Sequence, residues 1–206
     1  MTKPKMRRAV DKDGNIDWLK QTRFDYHFAK TALLSQGSVA PMYIVHSRNG
    51  IIPILATYND GAQKNAVHNV VRMFCIAEDA DAVGYIGEAW SAKAMPEDAA
   101  HPDRPTVMPK DREDRMEVVV CQIIYRGLDG PMGTFMQGEI DRDTSGKAVG
   151  LINEMSAQSH QIGGSFADLL PPRRPTPAEQ QAARTLLKMF QQHGGMQQFD
   201  DPAGRA

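Results

Sequence analysis

Residues 41 to 59 read PMYIVHSRNGIIPILATYN, two β-rich runs broken by Asn49-Gly50. That dipeptide readily supplies the positive φ angles of a tight turn, and a tight turn between two such runs brings them together as an antiparallel hairpin. A loop at Asn49-Gly50 sets Val45 opposite Ile54 and Tyr43 opposite Ala56, which gives one continuous apolar face. Met42, Ile44, His46, Pro53 and Leu55 take the other face. Pro53 has no amide hydrogen to give to a ladder, so its strand belongs at a sheet edge or is interrupted there.

The flanking segments alternate between helix and strand patterns. From Asp17 to Ser35 the chain has neither proline nor glycine, and Phe24, Phe28 and Ala32 repeat every four residues, the spacing of one helical face. After the hairpin, Asp60 and Gln63 stand as a capping box, and Ala66, Val67, Val70, Phe74 and Ala77 form the stripe of a second helix that ends at Glu78-Asp79. Four more β patterns follow: AVGYIGEAWSA, RMEVVVCQIIYRG with the density of a central strand, and MGTFMQGEID, which DRDTSGK turns back into the fourth, AVGLINE. Thr176, Pro177 and Glu179 open a last helix that carries Ala183, Leu186, Leu187 and Phe190 and stops at Gly194-Gly195.

These patterns predict an α+β fold: an antiparallel sheet of about five to six strands with helices packed mainly on one face, plus a tethered C-terminal helix. The expected organisation is a basic flexible arm over 1–14, one α+β domain over 15–156, a Pro/Gly-rich linker over 157–176, the amphipathic helix over 177–194 and a tail over 195–206. A formal net charge of -1 excludes a global field that would gather nucleic acid or anionic lipid. Every apolar run is shorter than the roughly 20 residues of a membrane-spanning helix. The opening MTKPKMRRAV lacks the apolar stretch of a secretory signal. Cys75 and Cys121 lie far apart inside apolar runs, as small buried hydrophobes in a reducing, cytoplasmic setting do.

Chemistry is harder to find. There is no G-x-S-x-G elbow and no H-E-x-x-H, and Ile152 stands where a calcium loop beginning at Asp141 needs its bidentate glutamate. No cofactor and no metal site is therefore expected. Four features remain as candidates. Glu88 interrupts the apolar alternation between Ile86 and Trp90, and the expectation places it on the less buried face, paired with Arg115 or Arg126. The polar stretch from Ala99 to Val120 carries His101, Asp103 and Arg104. Lys64, His68 and Arg72, spaced by four, make a basic stripe on the second helix. The C-terminal helix is suited to docking on its own domain or on a second copy.

Glu88-Ala89-Trp90 on a strand, followed by His101-Pro102-Asp103-Arg104 and then by Glu117 ahead of a β-rich run, resembles a pattern of small uncharacterised proteins of bacteria and their phages. The resemblance spans residues 42–141 and carries no activity with it. Three functions follow as expectations. The first is a non-enzymatic accessory or protein-interaction protein of bacterial or phage origin, binding another protein or associating with itself through the C-terminal helix. The second is a metal-dependent hydrolase or nuclease using Glu88, His101 and Asp103. The third is weak nucleic-acid binding through the basic arm and the Lys64/His68/Arg72 stripe, without membrane contact.

Overall fold

The structure is a computed structural model that describes residues 8–56, 58, 61–93, 107–128, 130–159 and 164–192. The fold is α+β, with an open antiparallel sheet. Its elements in chain order are α1 (Trp18–Gln36), β1 (Met42–Ser47), β2 (Gly50–Leu55), α2 (Gly61–Ala77), β3 (Ala82–Ser91), β4 (Met116–Gly127), β5 (Gly130–Arg142), β6 (Ala148–Ser159), the short α3 (Gly164–Ala167) and α4 (Pro177–Gln192). The strands follow one another in the order β2-β1-β3-β4-β5-β6. The chain divides into two compact units, and β3, β4 and β5 contribute residues to both. The first unit contains residues up to Ala40, Ile86–Gln122 and Thr134–Ser159; the second contains Pro41–Tyr85, Ile123–Gly133 and the residues from His160 on.

In the first unit α1 opens on Asp17, whose carboxylate accepts the Lys20 amide, and closes on Gly37 at φ 82°. Its buried face is not the one expected. Phe24 is exposed and Phe28 and Ala32 are half-buried, while Gln21, Thr22, Asp25, Tyr26, Ala29 and Leu33 are buried. Gln21, Thr22 and one oxygen of Asp25 are tolerated on that face because each finds a hydrogen-bond partner. The Ala9 amide donates to Gln21 Oε1 at 2.8 Å, Gln21 Nε2 donates to Asp25 Oδ1 at 2.8 Å, and the Thr22 hydroxyl meets that of Thr134 on β5. Of the segment expected as a flexible arm, residues 8–14 are described. Val10 bridges to Ile16, the Asp17 amide donates to the Ala9 carbonyl, and Ala9 is buried.

In the second unit the hairpin forms one step earlier than expected. The turn is Arg48-Asn49, Ser47 pairs with Gly50, Tyr43 with Ile54 and Val45 with Ile52. Moving the turn by one residue shifts each partner by two, so the predicted faces survive. Gly50, at φ 153°, takes a conformation open to glycine alone at the first paired position after the turn. Tyr43, Val45, Ile54 and Ala56 join the buried core, and Pro53 lies on the edge strand β2, as its missing amide requires.

The same core takes in Val70, Val71, Phe74, Cys75 and Ala77 of α2, Leu169 and Leu170 of the linker, and Ala183 and Leu187 of α4. Ala66, assigned to the α2 stripe, is exposed; the buried face turns through Val71 and Cys75 instead. The capping box of α4 is present: the Glu179 amide donates to Thr176 Oγ1, and Glu179 Oε2 accepts the Thr176 amide at 2.7 Å. The guanidinium of Arg173 and then the Thr176 donors hold the Glu179 carboxyl down at about 2. Asp60 and the end of the C-terminal segment at Gly194-Gly195 lie outside the described residues. Among those described, no helix is long and apolar enough to cross a membrane.

Candidate functional site

Glu88 lies in the first unit, where strands β3, β4 and β5 run side by side. Along β3 the face it shares passes from Ile86, fully buried, through Glu88, half-buried, to Trp90, which is 47% exposed. Glu88 does not form the pairs expected of it. Its Oε1 accepts the amide of Val39 at 2.5 Å, and its carboxyl lies near that of Glu117 on β4.

Arg142 on β5 completes this cluster. Its Nε and Nη2 fork onto the two oxygens of Glu117, both at 2.8 Å, and its Nη1 donates to the Gly146 carbonyl at 3.1 Å. A planar fork on a carboxylate is a geometrically exacting contact. It pulls Glu117 below its ordinary value and pushes Arg142 above its own. At neutral pH Glu117 is thus a fixed anion rather than a proton shuttle.

Arg115, one of the two expected partners of Glu88, reaches Trp90 instead. Its guanidinium carbon stands 5.1 Å from the ring centroid, and its Nη1 donates to the Lys110 carbonyl at 2.7 Å. The other expected partner, Arg126, belongs to the second unit and holds carbonyl oxygens there. Arginine stacked on an exposed tryptophan presents a flat apolar face with a charge beside it, both already ordered. His101, Asp103 and Arg104 lie outside the described residues, so of the constellation Glu88, His101 and Asp103 only Glu88 is described. Among the described residues no group of three or more His, Cys, Asp or Glu side chains is placed to hold a metal.

The α2 stripe is in the second unit and its members differ. Lys64 and Arg72 are exposed, but Arg72 Nη1 donates to the Asp168 carbonyl at 2.7 Å. His68 is half-buried, with Nε2 at 2.5 Å from the Tyr43 hydroxyl and the two rings edge to face. Tyr43 also packs on Tyr85 and Phe166. Burial first, then Lys64, lowers the His68 value, and burial raises that of Tyr43. The pair is therefore a neutral imidazole beside a protonated phenol, which fixes α2 against β1. Neither thiol is reactive: burial pushes Cys75 up to about 12, and burial followed by Asp25 raises Cys121.

A pH dependence follows from His68. Its folded-state value is lowered, so the unfolded chain takes up the proton first. Stability is full above the ordinary histidine value of about 6.5 and falls as pH drops below it. Denaturant midpoints between pH 8 and 5 will therefore decline more steeply for the wild type than for His68→Asn, which titrates nothing. Parallel curves would show that His68 contributes no such dependence.

Sequence reasoning missed Arg142 and Val39 as members of the Glu88 cluster. Arg142 stands as a charge at the end of a β-rich run, but its pairing depends on strand order. No protein family, curated protein or solved structure matches the chain.

Proposed function

We propose that this chain is a protein-interaction protein whose partner docks on the Trp90 and Arg115 surface of the first unit. The observation that carries the reading is Trp90, 47% exposed yet braced by the Arg115 guanidinium 5.1 Å from its ring centroid. Tryptophan and arginine dominate the binding energy of interfaces, and a pair already held in place loses less freedom on docking. The neighbouring ionisable groups support a binding role over a catalytic one. Glu117 is locked by Arg142, and Glu88 accepts the Val39 amide. The buried thiols fit a reducing compartment such as the cytoplasm. The resemblance of the Glu88-Ala89-Trp90 strand to small bacterial and phage proteins favours a bacterial or phage source.

The test is paired capture from a bacterial lysate with wild-type, Trp90→Ala and Arg115→Ala baits, each checked for native circular dichroism. A protein held by the wild type and reduced at least about tenfold by Trp90→Ala supports the reading, since a hot-spot truncation costs about 2 kcal/mol or more. Identical recovery by all three baits contradicts it.

A further inference from the structure

We propose that α4 pairs with the α4 of a second copy of this chain, antiparallel, about a two-fold axis at Leu186. The inference goes beyond the partner surface at Trp90, because α4 belongs to the second unit. It starts from an apolar stripe that the core does not use. Ala183 and Leu187 are buried, but Leu186 is 47%, Met189 51% and Phe190 45% exposed. These large side chains stand at the i, i+3 and i+4 spacing of one helical face, the arrangement by which a helix seats against a groove or another helix. Ala178 and Ala182 continue that face toward the N-terminus, and both are exposed.

Two properties of the stripe select a second copy as its occupant. The first is size. Large residues crowd the C-terminal half and alanines the N-terminal half, so an antiparallel copy sets Phe190 over the Ala182 of its mate, with Leu186 against Leu186. A parallel pair would place bulk on bulk at one end and leave a gap at the other. Only an isologous contact makes one surface its own complement. The second is charge. Lys188 falls well round the helix from Leu186, Arg184 is turned to the Ala77 carbonyl at 2.8 Å, and Glu179 is tied to Arg173 at 2.6 Å. The stripe is therefore neutral, and two copies meet without like charges opposed.

The helix is also a firm platform. Arg173 anchors its capping residue Glu179, Arg174 bonds Asp79 at 3.0 Å and Asp81 at 2.6 Å, and Ala183 and Leu187 seat it in the core with α2. The contact is small. About five residues per copy fall short of the roughly 20 to 30 a side in a standard interface, so the dimer is weak and depends on concentration.

The test uses the chain's own cysteines, both buried, as silent background. Leu186→Cys, oxidised at about 100 µM, will form a disulfide-linked dimer, because the two-fold axis brings residue 186 onto itself. Lys188→Cys, on another side of the helix, will form at least about fivefold less. In sedimentation equilibrium the wild-type mass will rise from 22.8 kDa toward twice that value with concentration, while Leu186→Glu, a change at an exposed position, stays at the single-chain mass. A wild-type mass that stays at one chain overturns the proposal. So does a dimer that survives Leu186→Glu, or equal crosslinking at positions 186 and 188. Trp90→Ala leaves this equilibrium unchanged, so failure here is separate from failure of the docking surface.

Discussion

Arg126→Ala will lose about 2 to 4 kcal/mol of stability, one of the largest effects expected of any single change in this chain. The guanidinium sits half-buried in the second unit and gathers three carbonyl oxygens. Its Nε donates to Ala80 at 3.2 Å, its Nη1 to Pro171 at 2.7 Å and its Nη2 to Arg173 at 3.2 Å. Truncation leaves these acceptors without their donor and frees the linker ahead of α4 at its anchoring point. Urea denaturation measures the loss, and limited proteolysis will show faster cutting between residues 168 and 176. Arg126→Lys will restore less than half, because a single ammonium cannot reach carbonyls spread around a planar fork. Full rescue by lysine would show that charge rather than geometry holds the linker.

Gly138→Ala will destabilise the first unit by about 1 to 3 kcal/mol, although alanine is ordinarily the better residue inside a strand. A Cβ at this position of β5 would overlap the hydroxyl of Tyr26, and it would come within 3.1 Å of Glu154 Cγ and 3.3 Å of Leu151 Cβ. Tyr26 is buried on α1, so the glycine is what lets the phenol lie across the strand beside Glu154. Burial and the Glu154 carboxylate together raise the Tyr26 value, which keeps the phenol protonated. The decisive check is a double-mutant cycle. In a Tyr26→Phe background the cost of Gly138→Ala will shrink by at least half, since the overlapping oxygen is gone. An unchanged cost would assign the penalty to Leu151 and Glu154 instead.

What the sequence made legible and what it hid follow one physical rule. Local signals were readable. The capping box of Thr176 and Glu179 opens α4, and Pro53 marks an edge strand, because each depends on the few residues around it. Faces were harder to read. Phe24 looked like the core side of α1, yet Thr22, Asp25 and Tyr26 are inside, with Thr22 meeting Thr134 and Asp25 Oδ1 accepting from Gln21. Periodicity cannot register a polar group that finds its partner far along the chain. In the same way α4 carries two apolar faces, and only the packing of Ala183 and Leu187 separates the buried one from the stripe at Leu186, Met189 and Phe190.

The candidate site shows the same division. Glu88, with Trp90 beside it on the same face, stood out because a charge broke the apolar alternation of the strand. Their partners Val39, Glu117, Arg115 and Arg142 come from separate segments, and only the adjacency of β3, β4 and β5 makes Arg142 the counter-ion of Glu117 while Arg115 goes to Trp90. The carboxylate that resembled a catalytic acid is a hydrogen-bonded strut beside an exposed aromatic.

The most direct test of the docking surface is hydrogen–deuterium exchange on the full chain, alone and with the partner recovered by the wild-type bait. Protection confined to the segments around residues 88–91 and 110–117, and absent when the chain carries Trp90→Ala, is the predicted result. Binding that leaves both segments exchanging as in the free chain would contradict it.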